Sequence, residues 1–236
     1  MVAALATTLV VAAGVQGLVG LGLGLVAAPV ITLLEPTLMP ELMLWLALMM
    51  PLVTLVREHH EIDWFGLGWS LPARVVGTAL GVLVVASVST AGLGVAVGAM
   101  VLLSVVLTVR AVRVPVNVGS LTVAGFVSGV AGTATSIGGP PIAILYQHRS
   151  PAQIRSTLGI YFTVGAALSL IGLGLAGVLE QRSLFLALLL APALVLGFLV
   201  SRVLDRRLPR HHVRTGVLLV CAISSVVLLV RSLFTL

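Results

Sequence analysis

Long apolar runs alternate with short polar breaks along the whole chain. The breaks carry turn or charge signals, and the runs occupy residues 2–34, 42–56, 66–89, 91–109, 116–146, 157–179, 184–204 and 213–235. A helix needs about 20 consecutive apolar residues to cross a bilayer, because the hydrocarbon core is about 30 Å thick. The pattern therefore predicts an all-α polytopic membrane protein with no room for a soluble domain.

Two of the runs contain a similar glycine-rich sequence. Residues 14–29 read GVQGLVGLGLGLVAAP, and residues 126–141 read FVSGVAGTATSIGGPP. One shift of 112 residues superimposes Gly17 on Gly129, Gly20 on Gly132 and Pro29 on Pro141. Further matches downstream pair Pro72 with Pro192 and Gly77 with Gly197. These matches predict two transmembrane repeats of about four apolar segments each, residues 1–113 and 114–236, in one integral domain.

The glycines predict that the first segment of each half, around 14–34 and 126–146, is a broken helix or a re-entrant hairpin. Glycine costs about 1 kcal/mol per helical position relative to alanine, and proline costs about 3 kcal/mol. In hydrocarbon, a broken helix persists only where its freed backbone groups are buried in protein or line a wet cavity. Two broken segments at matching places in two halves are typical of a secondary transporter with a central site.

The arginines favour the re-entrant arrangement. All thirteen basic residues are arginine, and most flank apolar runs, which indicates membrane orientation rather than nucleic-acid binding. If all eight runs crossed the membrane, arginine-rich loops would lie on both faces. If the two glycine-broken runs are re-entrant, all arginines except Arg182 and Arg231 gather on one face, which Arg74 can reach by snorkelling. Each half then has three crossings and is inverted relative to the other, with the basic face in the cytoplasm. The alternative is that segments 2–34 and 116–146 cross as long tilted or broken helices.

Composition agrees with a membrane protein. The chain is 59% hydrophobic and 8% charged, with a mean hydropathy of +1.23, whereas a soluble domain carries charge on about a quarter of its residues. The single cysteine, Cys221, lies in the last run, so we expect a small packing residue and no disulfide or thiolate metal site. The first residues lack a basic n-region, and we expect them to belong to the mature protein.

The second glycine segment is the stronger candidate for a binding site. A glycine-rich turn that opens a half-helix exposes backbone N–H groups and the positive end of a helix dipole, which together predict an anion cradle. Hydroxyls at this depth are costly unless they are hydrogen-bonded, and glycines let the backbone approach a bound anion. The candidate residues in this segment are Gly132, Thr133, Thr135, Ser136, Gly138 and Gly139. The alternative is that small residues serve close helix packing, as in GxxxG contacts.

Four further positions are candidates for substrate binding: Gln16, Gly17 and Gly20 in the first glycine segment, and Arg155 shortly after the second. Arg155 could pair with an oxyanion through its planar fork, or it could be an orientation charge only. Gln16 is a polar group at membrane depth that needs a partner, which a neighbouring helix could also supply.

The sequence REHHEID at residues 57–63 does not have the spacing of a metal site, since adjacent histidines point to different sides of a helix. We interpret it as a solvated loop, with proton exchange through the histidines as the weaker alternative. The chain has no P-loop, no HExxH and no GxSxG, so we expect neither an enzyme nor an ATP-driven pump. No cofactor and no metal are expected.

Several sequences resemble the sulfite exporter TauE/SafE family. They are the first glycine segment ending in AAP, the IDW at residues 62–64, LPARVVGTALG at 71–81, and GVAGTATSIGGPP at 129–141 followed by Arg155. The resemblance covers essentially the whole chain, including its two repeats. It implies a bacterial inner-membrane permease for small sulfur-containing or organic anions. One departure is GLGLGLVAAP, where many relatives have a longer run of adjacent glycines, so whether both halves shape the pocket equally is left open.

Together these features predict a multi-pass secondary transporter, expected to be an exporter, of anions such as sulfite, sulfoacetate or related sulfonates. The anion is expected between two glycine-rich broken helices near the membrane midplane. The expected partners are a small anionic substrate and the lipid bilayer, with a coupling proton or ion and a homodimer left open, and no nucleic acid. The alternative is a channel-like or accessory membrane subunit that transports nothing by itself.

Overall fold

The computed structural model describes residues 1–19, 23–55, 61–110, 114–204 and 210–234. All regular structure in these ranges is helical, which confirms the all-α prediction. A 3₁₀ turn covers Pro36–Leu38. The α-helices of the described residues are α1 (Val2–Val19), α2 (Leu23–Leu34), α3 (Glu41–Leu55), α4 (Trp64–Ser87), α5 (Thr90–Arg110), α6 (Val118–Thr135), α7 (Gly139–Tyr146), α8 (Pro151–Leu175), α9 (Gln181–Leu204) and α10 (Arg210–Phe234).

Six helices of the described ranges are long and apolar enough to cross a membrane, which confirms a polytopic membrane protein. The spans are Trp64–Ser87, Thr90–Val109, Val118–Thr135, Ala152–Leu175, Gln181–Ser201 and Gly216–Phe234. Their outer faces expose large apolar side chains, among them Leu83, Phe185 and Ile223, each more than 60% exposed. Such faces are suited to lipid rather than to water.

The helices associate mainly between the N-terminal and C-terminal halves. The largest contacts join α4 to α6 and α1 to α9, followed by α5 with α10 and α3 with α8. If α1 to α5 are taken as equivalent to α6 to α10 in order, the α4–α6 contact is equivalent to the α1–α9 contact. The α5–α10 and α3–α8 contacts each join two equivalent helices.

Glycines bring α4 and α6 unusually close. A Cβ at Gly125 would overlap the backbone of Ser70, and a Cβ at Gly129 would lie 2.8 Å from the amide nitrogen of Thr78 and overlap the carbonyl oxygen of Arg74. Contacting positions increase together along both helices, so α4 and α6 run parallel. Close approach of parallel backbones through small residues is the packing that the GxxxG interpretation describes.

The described ranges leave out part of the predicted features. Gly20, residues 57–60 of the REHHEID sequence and residues 205–209 of the arginine-rich loop lie outside them. Cys221 lies within the described part, is fully buried and packs in the largest apolar cluster, as expected for a packing residue.

Candidate functional site

A break separates α6 from α7 at the centre of the second glycine segment. Helix α6 ends at Thr135, and Ser136 adopts a left-handed conformation with φ 60° and ψ 13°. Gly138 then caps α7 with φ −87° and ψ 0°, and prolines occupy the first turn of α7. Proline is tolerated there because its missing N–H would have no helical acceptor in the first turn.

Close packing, and not an unusual backbone conformation, explains why position 138 is a glycine. Its φ of −87° is accessible to any residue. A Cβ on Gly138 would lie 2.6 Å from the carbonyl oxygen of Ser128 and 3.0 Å from the Cα of Gly132. The hydroxyl of Ser128 donates a short hydrogen bond to the carbonyl of Gly138. This bond joins the middle of α6 to the start of α7, so α7 folds back along α6.

Two of the predicted site hydroxyls connect the break to other helices. The Oγ1 of Thr133 lies 2.8 Å from the Oγ of Ser169 in α8. The Oγ of Ser136 donates to the carbonyl oxygen of Pro40, 2.8 Å away, just before α3. Thr133 is fully buried, so its hydroxyl is satisfied within the protein, as buried polar groups require.

The third predicted hydroxyl stabilises the end of α6. The Oγ1 of Thr135 donates to the carbonyl oxygen of Ala131 over 2.7 Å and accepts a hydrogen bond of 3.2 Å from the amide of Ile137. Thr135 is 2% exposed. Its hydroxyl therefore replaces the helical partner that the amide of Ile137 loses at the break.

Arg74 is buried beside this break, and the expectation that it snorkels to the membrane surface is wrong. Its side chain is 3% exposed. Its Nη1 donates to the Oγ of Ser128 over 3.3 Å, and its Cζ lies 4.5 Å from the ring centroid of Tyr161, in cation–π geometry. Its Nε has no hydrogen-bond partner. Among the described residues, no carboxylate pairs with this guanidinium.

Two glycines make room for the guanidinium next to the N-terminus of α7. A Cβ on Gly132 would lie 3.1 Å from the Nη2 of Arg74 and 3.3 Å from the Cα of Gly138. A Cβ on Gly165 would overlap the guanidinium itself. The guanidinium therefore lies a few ångströms from the residue that caps α7.

Sequence reasoning missed Arg74 as a site residue although a signal was present. Arg74 is ten residues into α4, which corresponds to a depth of about 15 Å in a helix that starts at the surface. That depth is near the middle of the hydrocarbon core, where an ionisable residue indicates a functional site.

The other candidates lie elsewhere. The Oε1 of Gln16 accepts a hydrogen bond of 3.0 Å from the amide of Leu23 and so connects α1 to α2. Gly17 faces α9, where a Cβ would overlap the hydroxyl of Ser201. Arg155 is an exposed residue of α8. The structure thus brings Gly132, Thr133, Thr135, Ser136, Gly138 and Gly139 to one break, whereas Gln16 and Gly17 belong to the α1–α2–α9 region.

Comparison with protein families matches residues 5–228 of the chain to the family described as Sulfite exporter TauE/SafE. No curated protein and no solved structure matches the chain.

Proposed function

The chain belongs to the sulfite exporter TauE/SafE family, and we propose that it is a secondary transporter that exports small sulfur-containing or organic anions such as sulfite, sulfoacetate or related sulfonates. The observation that carries this proposal is the break between α6 and α7, which presents the N-terminus of a half-helix inside the bundle. A half-helix N-terminus at membrane depth is how several transporter folds hold an anionic group.

The backbone of α7 supplies the proposed anion contacts. The first turn of a helix leaves N–H groups without helical acceptors. Pro140 and Pro141 have no N–H, so the donors of this turn are those of Gly138, the cap, and Gly139. Aligned N–H groups and the positive end of the helix dipole favour an anion. Because the protons of Thr135 and Ser136 are already donated within the protein, we assign these hydroxyls to shaping the cradle.

Hydrogen bonds between loops support a re-entrant α6–α7 hairpin. The hydroxyl of Ser150, after α7, donates to the carboxylate of Glu61, before α4. The amide of Asp63 donates to the Oγ1 of Thr157 over 3.0 Å. Loops that bond to each other lie on one face of the membrane. Along the chain, α4, α5 and the α6–α7 pair separate these loops. If the pair crossed the membrane as one broken helix, the three crossings would put the loops on opposite faces. The hairpin of α6 and α7 therefore returns to its starting face in our proposal.

The first half supports an inverted counterpart of this hairpin. The amide of Glu180, between α8 and α9, donates to the Oε2 of Glu41 over 2.8 Å. This bond supports an arrangement in which the start of α3 lies on the face opposite Glu61. The 112-residue shift also places Gln16 on Ser128, and both side chains bond to backbone across the break that follows them. We therefore propose inverted repeats at 1–113 and 114–236 in a bacterial inner membrane. Arg149 then lies on its cytoplasmic face.

Flux measurements on reconstituted protein test the proposed function. Liposomes that contain the purified protein are loaded with labelled sulfite, sulfoacetate or sulfate, and efflux is compared with that from protein-free liposomes. We expect protein-dependent, saturable efflux of sulfite or a sulfonate. Absence of efflux for the whole panel would contradict the proposal and favour an accessory subunit.

A further inference from the structure

We propose that Arg74 is the residue that binds the transported anion, and that the anion is an oxyanion held between its guanidinium and the N-terminus of α7. This inference rests on the proposed function and assigns the charge recognition to a residue outside the glycine segments. The occupant is a group with two or three oxygens on one atom, such as sulfite or a sulfonate.

The first argument is an uncompensated charge. Arg74 is 3% exposed in the middle of α4, and no carboxylate of the described residues pairs with it. A buried charge without a counter-charge is strongly unfavourable, because the protein interior replaces the solvation of water poorly. The π face of Tyr161 and one hydroxyl from Ser128 offset part of this cost. A bound anion would supply the missing negative charge.

The second argument is the position of α7. Its cap, Gly138, and the Nη2 of Arg74 both lie within 3.3 Å of the point where a Cβ of Gly132 would stand. The positive end of the α7 dipole and a guanidinium therefore share one small region. These two groups repel each other when nothing lies between them, and both stabilise an anion placed there.

The third argument is the set of free donors. The guanidinium donates through Nη1 to the Oγ of Ser128, and its Nε has no partner. The Oγ1 of Thr78, one turn further along α4, is also buried without a partner. Arginine presents its N–H groups as a planar fork that matches two oxygens of one oxyanion. A fork and an adjacent hydroxyl favour an oxyanion over a spherical halide.

The two halves differ at this position. The alignment that pairs Pro72 with Pro192 and Gly77 with Gly197 places Leu194 opposite Arg74. Leu194 is 6% exposed and packs in the apolar cluster of α1, α2 and α9. We therefore place the anion at the second break alone, so that one chain holds one anion.

The test compares oxyanion binding and transport by variants of Arg74. Purified protein in detergent is titrated with sodium sulfite, and its thermal shift gives an apparent Kd, with sodium chloride as the reference salt. We expect Arg74→Gln to weaken sulfite binding at least tenfold and to abolish saturable flux. Arg74→Lys keeps the charge but not the fork, and we expect an intermediate Kd. Arg182→Gln is the control, because Arg182 is an exposed arginine at the start of α9.

Thr78→Val keeps the test decisive if Arg74→Gln does not fold. Its hydroxyl has no partner, so its removal should leave the folded yield and the thermal midpoint unchanged while sulfite affinity falls several-fold. Wild-type Kd and flux in a folded Arg74 variant, or in Thr78→Val where no Arg74 variant folds, would overturn the assignment of Arg74 and leave the proposed function standing. If the wild-type protein neither binds nor transports any oxyanion, the proposed function and this inference both fail.

Discussion

The hydroxyl of Tyr146, the last residue of α7, donates a hydrogen bond of 2.9 Å to the Oδ2 of Asp63, the cap of α4. The Oδ1 of Asp63 accepts a second bond of 2.9 Å from the amide of Gly66. Burial first, and then the bond to Asp63, raise the pKa of Tyr146, so the phenol stays protonated as the donor. The bond connects the C-terminal end of α7 to the N-terminus of α4, the helix that contains Arg74.

A double-mutant cycle should give a measurable coupling energy between Tyr146 and Asp63. Tyr146→Phe is expected to lower the free energy of unfolding by about 1.5–3 kcal/mol, the range for a hydrogen bond to a charged group. Asp63→Asn keeps the helix cap, because asparagine caps about as well as aspartate. Thermal unfolding in detergent of both single variants and the double variant gives the coupling energy. Strictly additive effects would show that the two residues are not coupled.

A second prediction concerns the space that Gly165 leaves for Arg74. In Gly165→Ala the Cβ would overlap the guanidinium, so the side chain of Arg74 must leave the position in which it faces the start of α7. We expect sulfite flux to fall at least tenfold while the protein still folds. Gly174→Ala is the matched control in the same helix, because nothing lies within 4 Å of its Cβ position. Equal flux in the two variants would contradict the position of Arg74.

The sequence allowed the membrane class, the family and the approximate positions of the helices to be predicted. A long run that is apolar on every side indicates a segment within the membrane, whatever its periodicity. All eight runs correspond to helices of the described ranges. The depth of Arg74 in α4 was a signal of a site, but the burial of its side chain was not predictable from the apolar runs. Snorkelling and burial are both compatible with its place in α4, and the choice depends on Gly132 and Gly165, which are distant in the sequence. The partners of Thr133 and Ser136 also come from other helices.

The predicted repeats, their boundaries and the substrate-binding roles of the glycine segment stay predictions. The reason is physical, because a contact between helices shows where a side chain lies but not which anion it meets. Gly138 illustrates the difference. Its close approach to Ser128 is a fact of packing, whereas its approach to an anion requires the anion.

Glu41 provides a prediction of pH dependence. It is 5% exposed at the start of α3, and burial raises the pKa of its carboxyl group, although the hydrogen bond from the amide of Glu180 opposes this. An acid with a raised pKa in the folded state loses stability as pH rises above the ordinary carboxyl pKa, about 4.3, until it passes the folded pKa. We therefore expect Glu41→Gln to raise the thermal midpoint at neutral pH.

The pH profile of that variant distinguishes the cause. The gain of Glu41→Gln over the wild type should shrink as the pH falls through the raised pKa, where the wild-type carboxyl becomes protonated. Glu61→Gln is the control, since Glu61 is exposed. A gain that is largest in acid would contradict the direction of the shift.

The membrane topology gives a fourth prediction. In a background with Cys221 replaced by alanine, single cysteines at Glu61 and Arg149 should react with impermeant reagents from the same face. Both positions are exposed, so access from water is not limited by packing. We expect Glu61→Cys and Arg149→Cys both to label from the cytoplasm. Labelling of the two from opposite faces would contradict the re-entrant hairpin, because α4, α5 and an α6–α7 pair that crossed the membrane would separate them by three crossings.

Counterflow in proteoliposomes tests the central proposal, that the chain is a secondary transporter of an oxyanion, most directly. Vesicles loaded with unlabelled sulfite are diluted into a trace of labelled sulfite, and uptake of the label is followed over time. A carrier exchanges the label inward against the outward gradient, so we predict a transient accumulation that external sulfoacetate suppresses and that Arg74→Gln abolishes. Equilibration without accumulation, or uptake no greater than in protein-free vesicles, would contradict the account.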